Sequence, residues 1–169
     1  GQWEIDEPRR LINDFFGEKI ADDIKKKFST ADVIIANAVF AHVDDMADMT
    51  SGISKILCKS GSFVFEVHYL ADIIQEMQYD SIYHEHFSYL SLHAVVAIFE
   101  NAGLKIYDVE ELPTHGGSLQ VYGGYEEADF DTTERVHKQL RKEKGDGLLN
   151  LETYVTFQQK AEKVKNELL

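Results

Sequence analysis

Two short, almost wholly apolar segments, residues 31–37 and 63–67, constrain the fold of this chain more than any other feature. A continuous apolar run of this length is typical of a strand buried on both faces of a parallel sheet. Between the two runs, residues 46–57 carry apolar side chains at helical spacing. Strand, helix and strand in this order form a βαβ unit, so the sequence predicts an α/β fold with a mostly parallel sheet.

Further elements are predicted on both sides of this unit. Residues 59–62 indicate a turn before the second strand, and residues 104–112 and 118–122 indicate two strands that pair antiparallel, a common finish to a mostly parallel sheet. Helical patterns occupy residues 18–28, 70–78, 91–102, 133–143 and 148–169. Gly103 is a suitable stop for the third of these helices, and Asp131 or Thr132 a suitable N-cap for the fourth. We expect one region over residues 1–125 that holds the sheet and a helical connector over residues 126–169.

Charge and composition exclude several functional classes. The chain has 30 acidic and 17 basic residues, a net charge of −13, which argues against a nucleic-acid partner because such a partner requires a basic face. No apolar run approaches the roughly 20 residues of a membrane span, and the start shows no signal-peptide pattern, so we expect a cytoplasmic protein. The single cysteine, Cys58, excludes an intrachain disulfide and a cysteine-rich zinc site.

The densest group of reactive side chains is Tyr83-His84-Glu85-His86. Histidine titrates near neutral pH and is the usual general base. In an extended segment Tyr83 and Glu85 share one face, whereas in a helical turn Tyr83 and His86 come together. A polar loop whose histidines cap neighbouring carbonyls is an equally good interpretation. The motif lacks the spacing of a zinc site, and no metal ligand is predicted.

Three other segments carry candidate functions. His115-Gly116-Gly117 allows positive φ and close approach of a ligand, although a plain hairpin turn needs the same residues. Asn37 ends the first predicted strand, where ligands bind in open α/β sheets, while the alternative is a turn residue followed by His42 as a helix cap. Asp14-Phe15 pairs a carboxylate with an aromatic ring, which suits an adenine group or a helix boundary with a core phenylalanine.

Taken together and in this order, these segments resemble one family, the S-adenosylmethionine-dependent C-methyltransferases that act at C3 of nucleotide-linked 4-keto-deoxysugars. The resemblance rests above all on YDSIYHEHFSYLSL (79–92) with GLKIYDVEELPTHGGSLQVY (103–122), and extends through NDFFGEKIA (13–21), ADVIIANAVFAHV (31–43), GSFVFEV (61–67) and residues 148–169. It implies a partial Rossmann-like class I methyltransferase sheet followed by C-terminal helices, with residues 1–125 as the second half of the methyltransferase domain. The family's zinc module, glycine-rich cofactor loop and C-terminal lobe have no counterpart here, so we expect an interior piece.

The resemblance also implies roles for single residues. His86 would be the base that removes the proton at C3, with Tyr83 and Glu85 orienting it or donating to the enolate oxygen. Asp14 and Phe15 would hold the adenine of S-adenosylmethionine, and Asn37 its amino-acid tail. The sugar would contact His84, His115, Gly116 and Gly117. A competing hypothesis is a non-catalytic α/β module that binds or oligomerises, and a homodimer through an unpaired strand edge fits either hypothesis.

Overall fold

The strands form a single sheet in a computed structural model of the protein, which describes residues 11–168. They are β1 (Ala31–Asn37), β2 (Leu57–His68), β3 (Leu104–Leu112) and β4 (Ser118–Tyr125), in the spatial order β1-β2-β4-β3. β1 pairs parallel with β2, whereas β4 pairs antiparallel with both β2 and β3. Three strands therefore run in one direction and β4 alone opposes them, which confirms the predicted α/β class, its mostly parallel sheet and its antiparallel finish.

Six α-helices accompany the sheet within the described residues. They are α1 (Glu18–Phe28), α2 (Met46–Ile56), α3 (Leu70–Gln75), α4 (Leu92–Asn101), α5 (Glu134–Gly145) and α6 (Leu151–Leu168). Asp45 caps α2 by accepting a hydrogen bond from the backbone N–H of Asp48, and Ser91 caps α4 through that of Ala94. Gly103, with φ of 72°, ends α4 as the sequence predicts. In residues 11–168, no helix is both long and apolar enough to cross a membrane.

The alternation along β2 determines where the core and the site lie. Phe63 and Phe65 point into the core, where their rings stack on Phe99 of α4 at centroid distances of 5.6 and 5.3 Å. Because successive side chains of a strand point to opposite faces, Glu66 and His68 leave the core side of the sheet. Two polar side chains are thus placed at the carboxyl end of a buried strand.

Two predictions about strands are wrong. Residues 59–62 belong to β2, because the pairing passes from Ala31–Leu57 to Val33–Ser62 across a register shift that absorbs the extra residues of β2. β1 is not buried on both faces, since the side chains of Val33 and Ile35 are 58% and 67% exposed. Among the described residues, β1 pairs only with β2.

The predicted N-cap of α5 is also wrong. α5 begins at Glu134 after Thr133, so neither Asp131 nor Thr132 caps it. The Thr133 hydroxyl donates to Oδ1 of Asp108 at 2.6 Å instead of capping the helix, which ties the start of α5 to β3. Asp108 is 25 residues away from Thr133 in the chain, so the local sequence pattern does not reveal this contact.

A buried carboxylate joins α5 to α4. Glu143 is fully buried, and its two oxygens accept hydrogen bonds from the backbone N–H groups of Leu92 and His93 at 2.5 and 3.0 Å. The Nδ1 atom of His93 lies 2.6 Å from the same carboxylate. A negative charge at the N-terminus of α4 is favourable because the free N–H groups and the helix dipole point at it. The division of the chain at residues 125 and 126 stays a prediction.

Candidate functional site

A cavity of about 400 Å³ lies at the carboxyl ends of β1 and β2. We call it the histidine cleft, and it is lined by Ala38, Ala41, His42, Glu66, Val67, His68, Ser81, Tyr83, His86, His115 and Ser118. Open α/β sheets bind ligands at this edge. The cleft therefore brings Tyr83, His86 and His115, three of the residues predicted from the sequence, into one place.

Tyr83 and His86 are in direct contact. The Tyr83 hydroxyl lies 2.8 Å from Nε2 of His86, and the backbone N–H of His86 donates to the Tyr83 carbonyl at 3.1 Å. Of the two conformations left open by the sequence, the segment thus adopts the turn that brings these side chains together. The other ring nitrogen of His86, Nδ1, is buried and has no hydrogen-bond partner among the described residues.

The surroundings of His86 keep its imidazole neutral. Burial lowers the pKa of His86 below its ordinary value of 6.5, and the nearby His42 and His68 lower it further. Glu85 acts in the opposite direction but does not overcome these effects. A neutral imidazole has one nitrogen with a free lone pair, which is the form a proton acceptor requires.

His84 and Glu85 lie outside the histidine cleft. Both side chains are exposed, although they neighbour His86 in the chain. The backbone of Glu85 does make a contact with the site, since its carbonyl accepts a hydrogen bond from Nδ1 of His42 at 2.9 Å.

The site contains three residues that sequence reasoning did not select: His42, His68 and Glu66. The rings of His42 and His86 meet edge to face at 4.9 Å, and the Ala41 carbonyl accepts from the backbone N–H of Phe87 at 2.7 Å. Glu66 and His68 occupy alternate positions at the end of β2. Glu66 and His68 could have been found in the sequence, because polar residues alternate with apolar ones at the end of this strand.

The glycines of the segment 113–117 do not line the cleft, but they shape the loop that holds His115. Gly117 has φ of 125°, and a Cβ atom there would collide with the Asp72 carboxylate. The Gly116 carbonyl accepts from Nε2 of Gln78 at 2.7 Å. His115 itself has φ of 54°, an uncommon value for a residue with a side chain. Contacts with Asp72 and Gln78 therefore hold the loop in a conformation in which His115 lines the cleft.

A second cavity, of about 560 Å³, adjoins the first and shares Ala38 and His42 with it. We call it the aromatic cleft, and its remaining lining residues are Phe15, Phe16, Val39, Val43, Asp44, Asp45, Asp48, Met49 and Phe87. Apolar and aromatic walls suit a flat base, and carboxylates at the rim suit a cationic group. Phe15 is 96% exposed and lines this cleft, whereas Asp14 and Asn37 lie next to lining residues without lining either cavity.

Comparison with known proteins decides the family. A family profile described as a methyltransferase domain matches residues 4–109, more than half of the chain. The chain belongs to the methyltransferase domain family. Residues 113–169 match a second profile, described as a C-methyltransferase C-terminal domain. The two matches confirm the resemblance to C-methyltransferases. S-adenosylmethionine, the cofactor that the resemblance implied, is the cofactor of class I methyltransferases.

A curated relative of this methyltransferase domain is the C-methyltransferase NovU of Streptomyces niveus. The two sequences are 32% identical over 153 residues, which cover 90% of this chain and 36% of NovU. The chain thus spans about a third of the length of the curated relative that it matches.

Solved methyltransferases show weaker similarity. A chain from the complex between the Haloferax volcanii Trm112 methyltransferase activator and the putative methyltransferase has a TM-score of 0.47 and 17% identity, covering 56% of this chain and 54% of that one. Magnesium protoporphyrin IX methyltransferase from Synechocystis PCC 6803, with bound SAH, has a TM-score of 0.45 and 12% identity, covering 57% and 45%.

Proposed function

We propose that the chain forms the substrate side and part of the cofactor side of an S-adenosylmethionine-dependent C-methyltransferase that acts on a nucleotide-linked 4-keto-deoxysugar. The contact between the Tyr83 hydroxyl and Nε2 of His86, inside the histidine cleft, carries this proposal. In this contact His86 is the neutral base and the Tyr83 hydroxyl is the hydrogen-bond donor, and the two groups lie side by side in the cleft. The match of residues 113–169 to a C-methyltransferase domain supports carbon as the acceptor atom.

The aromatic cleft fits the cofactor. Phe15 could stack on the adenine ring, and the neighbouring Asp14 could accept a hydrogen bond from the adenine amino group. Asn37, at the end of β1, would contact the amino-acid tail. When bound, S-adenosylmethionine supplies an electrophilic methyl group. Ala38 and His42 line both cavities, so the two ligands would meet at these residues.

The residues of the histidine cleft would carry the proton chemistry. His86 accepts the proton from C3 of the sugar, next to the C4 ketone, and the Tyr83 hydroxyl donates to the enolate oxygen that forms. The Glu85 carbonyl orients His42 beside His86, so the contribution of Glu85 comes through its backbone. A positioned general base typically contributes about 10²–10⁴-fold to the rate.

The remaining cleft residues would bind the sugar. His115 lines the cleft, and Gly116 and Gly117 belong to the loop that holds it. His84 is exposed and is not a lining residue, so a contact between His84 and the sugar stays a proposal from the resemblance. None of the described lining residues is Lys or Arg. The cleft therefore suits the neutral sugar ring rather than the diphosphate, which prefers arginine or lysine contacts.

The first test of this function is calorimetric titration of the chain with S-adenosylmethionine and with its demethylated product. We expect micromolar binding of both. Absence of binding at millimolar concentration would contradict the cofactor assignment.

The test of the base is His86→Asn, with methyl transfer to a nucleotide-linked 4-keto-deoxysugar as the readout. We expect kcat to fall by about 10²–10⁴-fold while cofactor affinity is unchanged, because the asparagine cannot accept the proton. The matched control is His137→Asn on the exposed surface of α5, which should leave kcat unchanged. Unchanged kcat in His86→Asn would exclude His86 as the base.

A second candidate function, a non-catalytic module that binds another copy of itself, is favoured by the exposed β1. The apolar side chains of Val33 and Ile35 are largely exposed on a strand whose outer edge is unpaired among the described residues. Such an edge favours pairing with another chain. Sedimentation velocity tests this: we expect a dimer that Ile35→Lys weakens, with Val155→Lys on α6 as a control. A wild-type monomer at high concentration would rule out this dimer.

A further inference from the structure

Glu66 places a carboxylate in the histidine cleft among histidines and apolar groups. Its side chain is only 18% exposed, and Oε1 accepts a hydrogen bond from the Thr114 hydroxyl at 2.5 Å. The other oxygen, Oε2, has no hydrogen-bond partner among residues 11–168. The group with the nearest potential positive charge is Nδ1 of His115, 4.0 Å away on a side chain that is 73% exposed.

The position of the Glu66 carboxylate is fixed by the pairing of its strand in the sheet and by the hydrogen bond from Thr114. Its strand is paired with β1 through Asn37 and with β4 through Gln120, so the backbone of Glu66 lies in the middle of the sheet. The Thr114 hydroxyl comes from the loop that Gln78 and the backbone of Tyr69 fasten, the latter by donating to the Gly117 carbonyl at 3.0 Å. A group with fixed geometry and one free acceptor oxygen is suited to recognise a ligand.

A carboxylate with an unused oxygen in a half-buried cleft favours a ligand that donates a hydrogen bond. Removing a carboxylate from water is costly unless donors replace the water, and a donor on the ligand meets this requirement. No lysine or arginine is among the described lining residues, so a donor on the ligand can take the place of the water that otherwise hydrates Oε2 of Glu66. Glu66 and His86 line the same 400 Å³ cavity, so the donor would lie close to the carbon that loses its proton.

We propose that Glu66 is a specificity residue that accepts a hydrogen bond from a hydroxyl or amino group on C3 of the bound sugar, the ring carbon next to the C4 ketone. This inference rests on the function proposed above and adds to it the substituent that the substrate must carry. Thr114 acts as a positioning residue, because its hydroxyl donates to Oε1 and leaves Oε2 available to accept from the ligand.

The test uses three nucleotide-linked 4-keto-6-deoxyhexoses that differ only at C3, where they carry hydroxyl, amino or hydrogen. Their dissociation constants are measured calorimetrically with the wild-type chain saturated with the demethylated cofactor. We expect the two probes with a donor to bind about 10–100-fold more tightly than the probe with hydrogen, as is typical for a hydrogen bond to a charged acceptor. The amino probe, which binds as an ammonium group, should bind at least as tightly as the hydroxyl probe.

The variant Glu66→Gln keeps the shape of the side chain and an acceptor for Thr114 but removes the charge. We expect it to reduce the preference for the amino probe to within a few fold, to weaken the hydroxyl probe less, and to leave the hydrogen probe unchanged. The matched control Ser60→Ala, on the exposed part of β2, should leave all three dissociation constants unchanged. Thermal unfolding establishes that each variant is folded.

Three results would overturn the inference while leaving the proposed function in place. One is equal binding of the three probes to the wild-type chain, which requires no variant. Another is equal weakening of all three by Glu66→Gln, which indicates a structural role. The third is weaker binding of S-adenosylmethionine to Glu66→Gln in the absence of sugar, which assigns the carboxylate to the cofactor's ammonium group. Failure of both the cofactor and every probe to bind the wild-type chain would instead overturn the proposed function and the inference with it.

Discussion

At the scale of single residues, the ring of His86 has one nitrogen in contact with Tyr83 and one that is enclosed without a partner. In either neutral tautomer, the enclosed nitrogen leaves a donor or an acceptor unsatisfied, which costs about 1–3 kcal/mol. Burial disfavours the imidazolium form as well, and this is the largest cause of the lowered pKa of His86. The fold thus favours the neutral imidazole by enclosing Nδ1 of a half-buried side chain.

The lowered pKa of His86 predicts the pH dependence of methyl transfer. The base acts only when it is neutral, so kcat should be constant near pH 7 and should fall as the pH decreases through the pKa of His86, below 6.5. His42→Gln removes a neighbour whose charge lowers that pKa, so it should move the acidic limb to higher pH. The measurement is kcat between pH 5 and 8, with the His86 imidazole proton followed by NMR. An acidic limb above pH 6.5 in the wild type would be inconsistent with this assignment.

At the scale of elements, local sequence patterns predicted most helices and strands, because α1 and α4 follow the helical period of 3.6 residues and β1 is a short continuous apolar run. It failed at residues 59–62, where Gly61 and its neighbours indicate a turn but pairing with β1 extends the strand. Candidate residues close in the chain, such as Tyr83 and His86, were recognisable from their spacing. His42 and Glu66 were not, because only the parallel pairing of β1 with β2 brings residues so distant in the chain to one cleft.

The loop of residues 113–117 depends on the absence of a side chain at Gly117. We expect Gly117→Ala to destabilise the protein by about 1–3 kcal/mol, because φ of 125° strains an alanine and its Cβ would collide with Asp72. The measurement is the free energy of unfolding in urea. Gly145→Ala at the end of α5 is the matched control, since an added Cβ there meets nothing within 4 Å. Equal stability of the two variants would show that the loop tolerates a side chain at Gly117.

At the scale of the whole molecule, α5 is attached to β3 of the sheet through charged contacts near both of its ends. Near its start Arg135 pairs with Asp108 and Glu110 of β3, and near its end Lys142 lies 2.6 Å from Glu111. These pairs are at least partly exposed, so each contributes roughly 0–1 kcal/mol. The buried Glu143 is different, because its carboxylate replaces water for the N-terminus of α4.

Glu143→Gln tests whether this buried contact holds α5 to α4. The amide can accept only one of the two backbone N–H bonds and loses the charge that interacts with His93 and the helix dipole, so we expect a loss of about 1–3 kcal/mol in the free energy of unfolding. Glu152→Gln, exposed in the first turn of α6, should change it by less than about 0.5 kcal/mol. If α5 docks mainly through Val136 and its apolar neighbours, the two variants will unfold at the same urea concentration. A larger loss in Glu143→Gln, with α4 amide protons exchanging faster, would instead locate the attachment of α5 at this carboxylate.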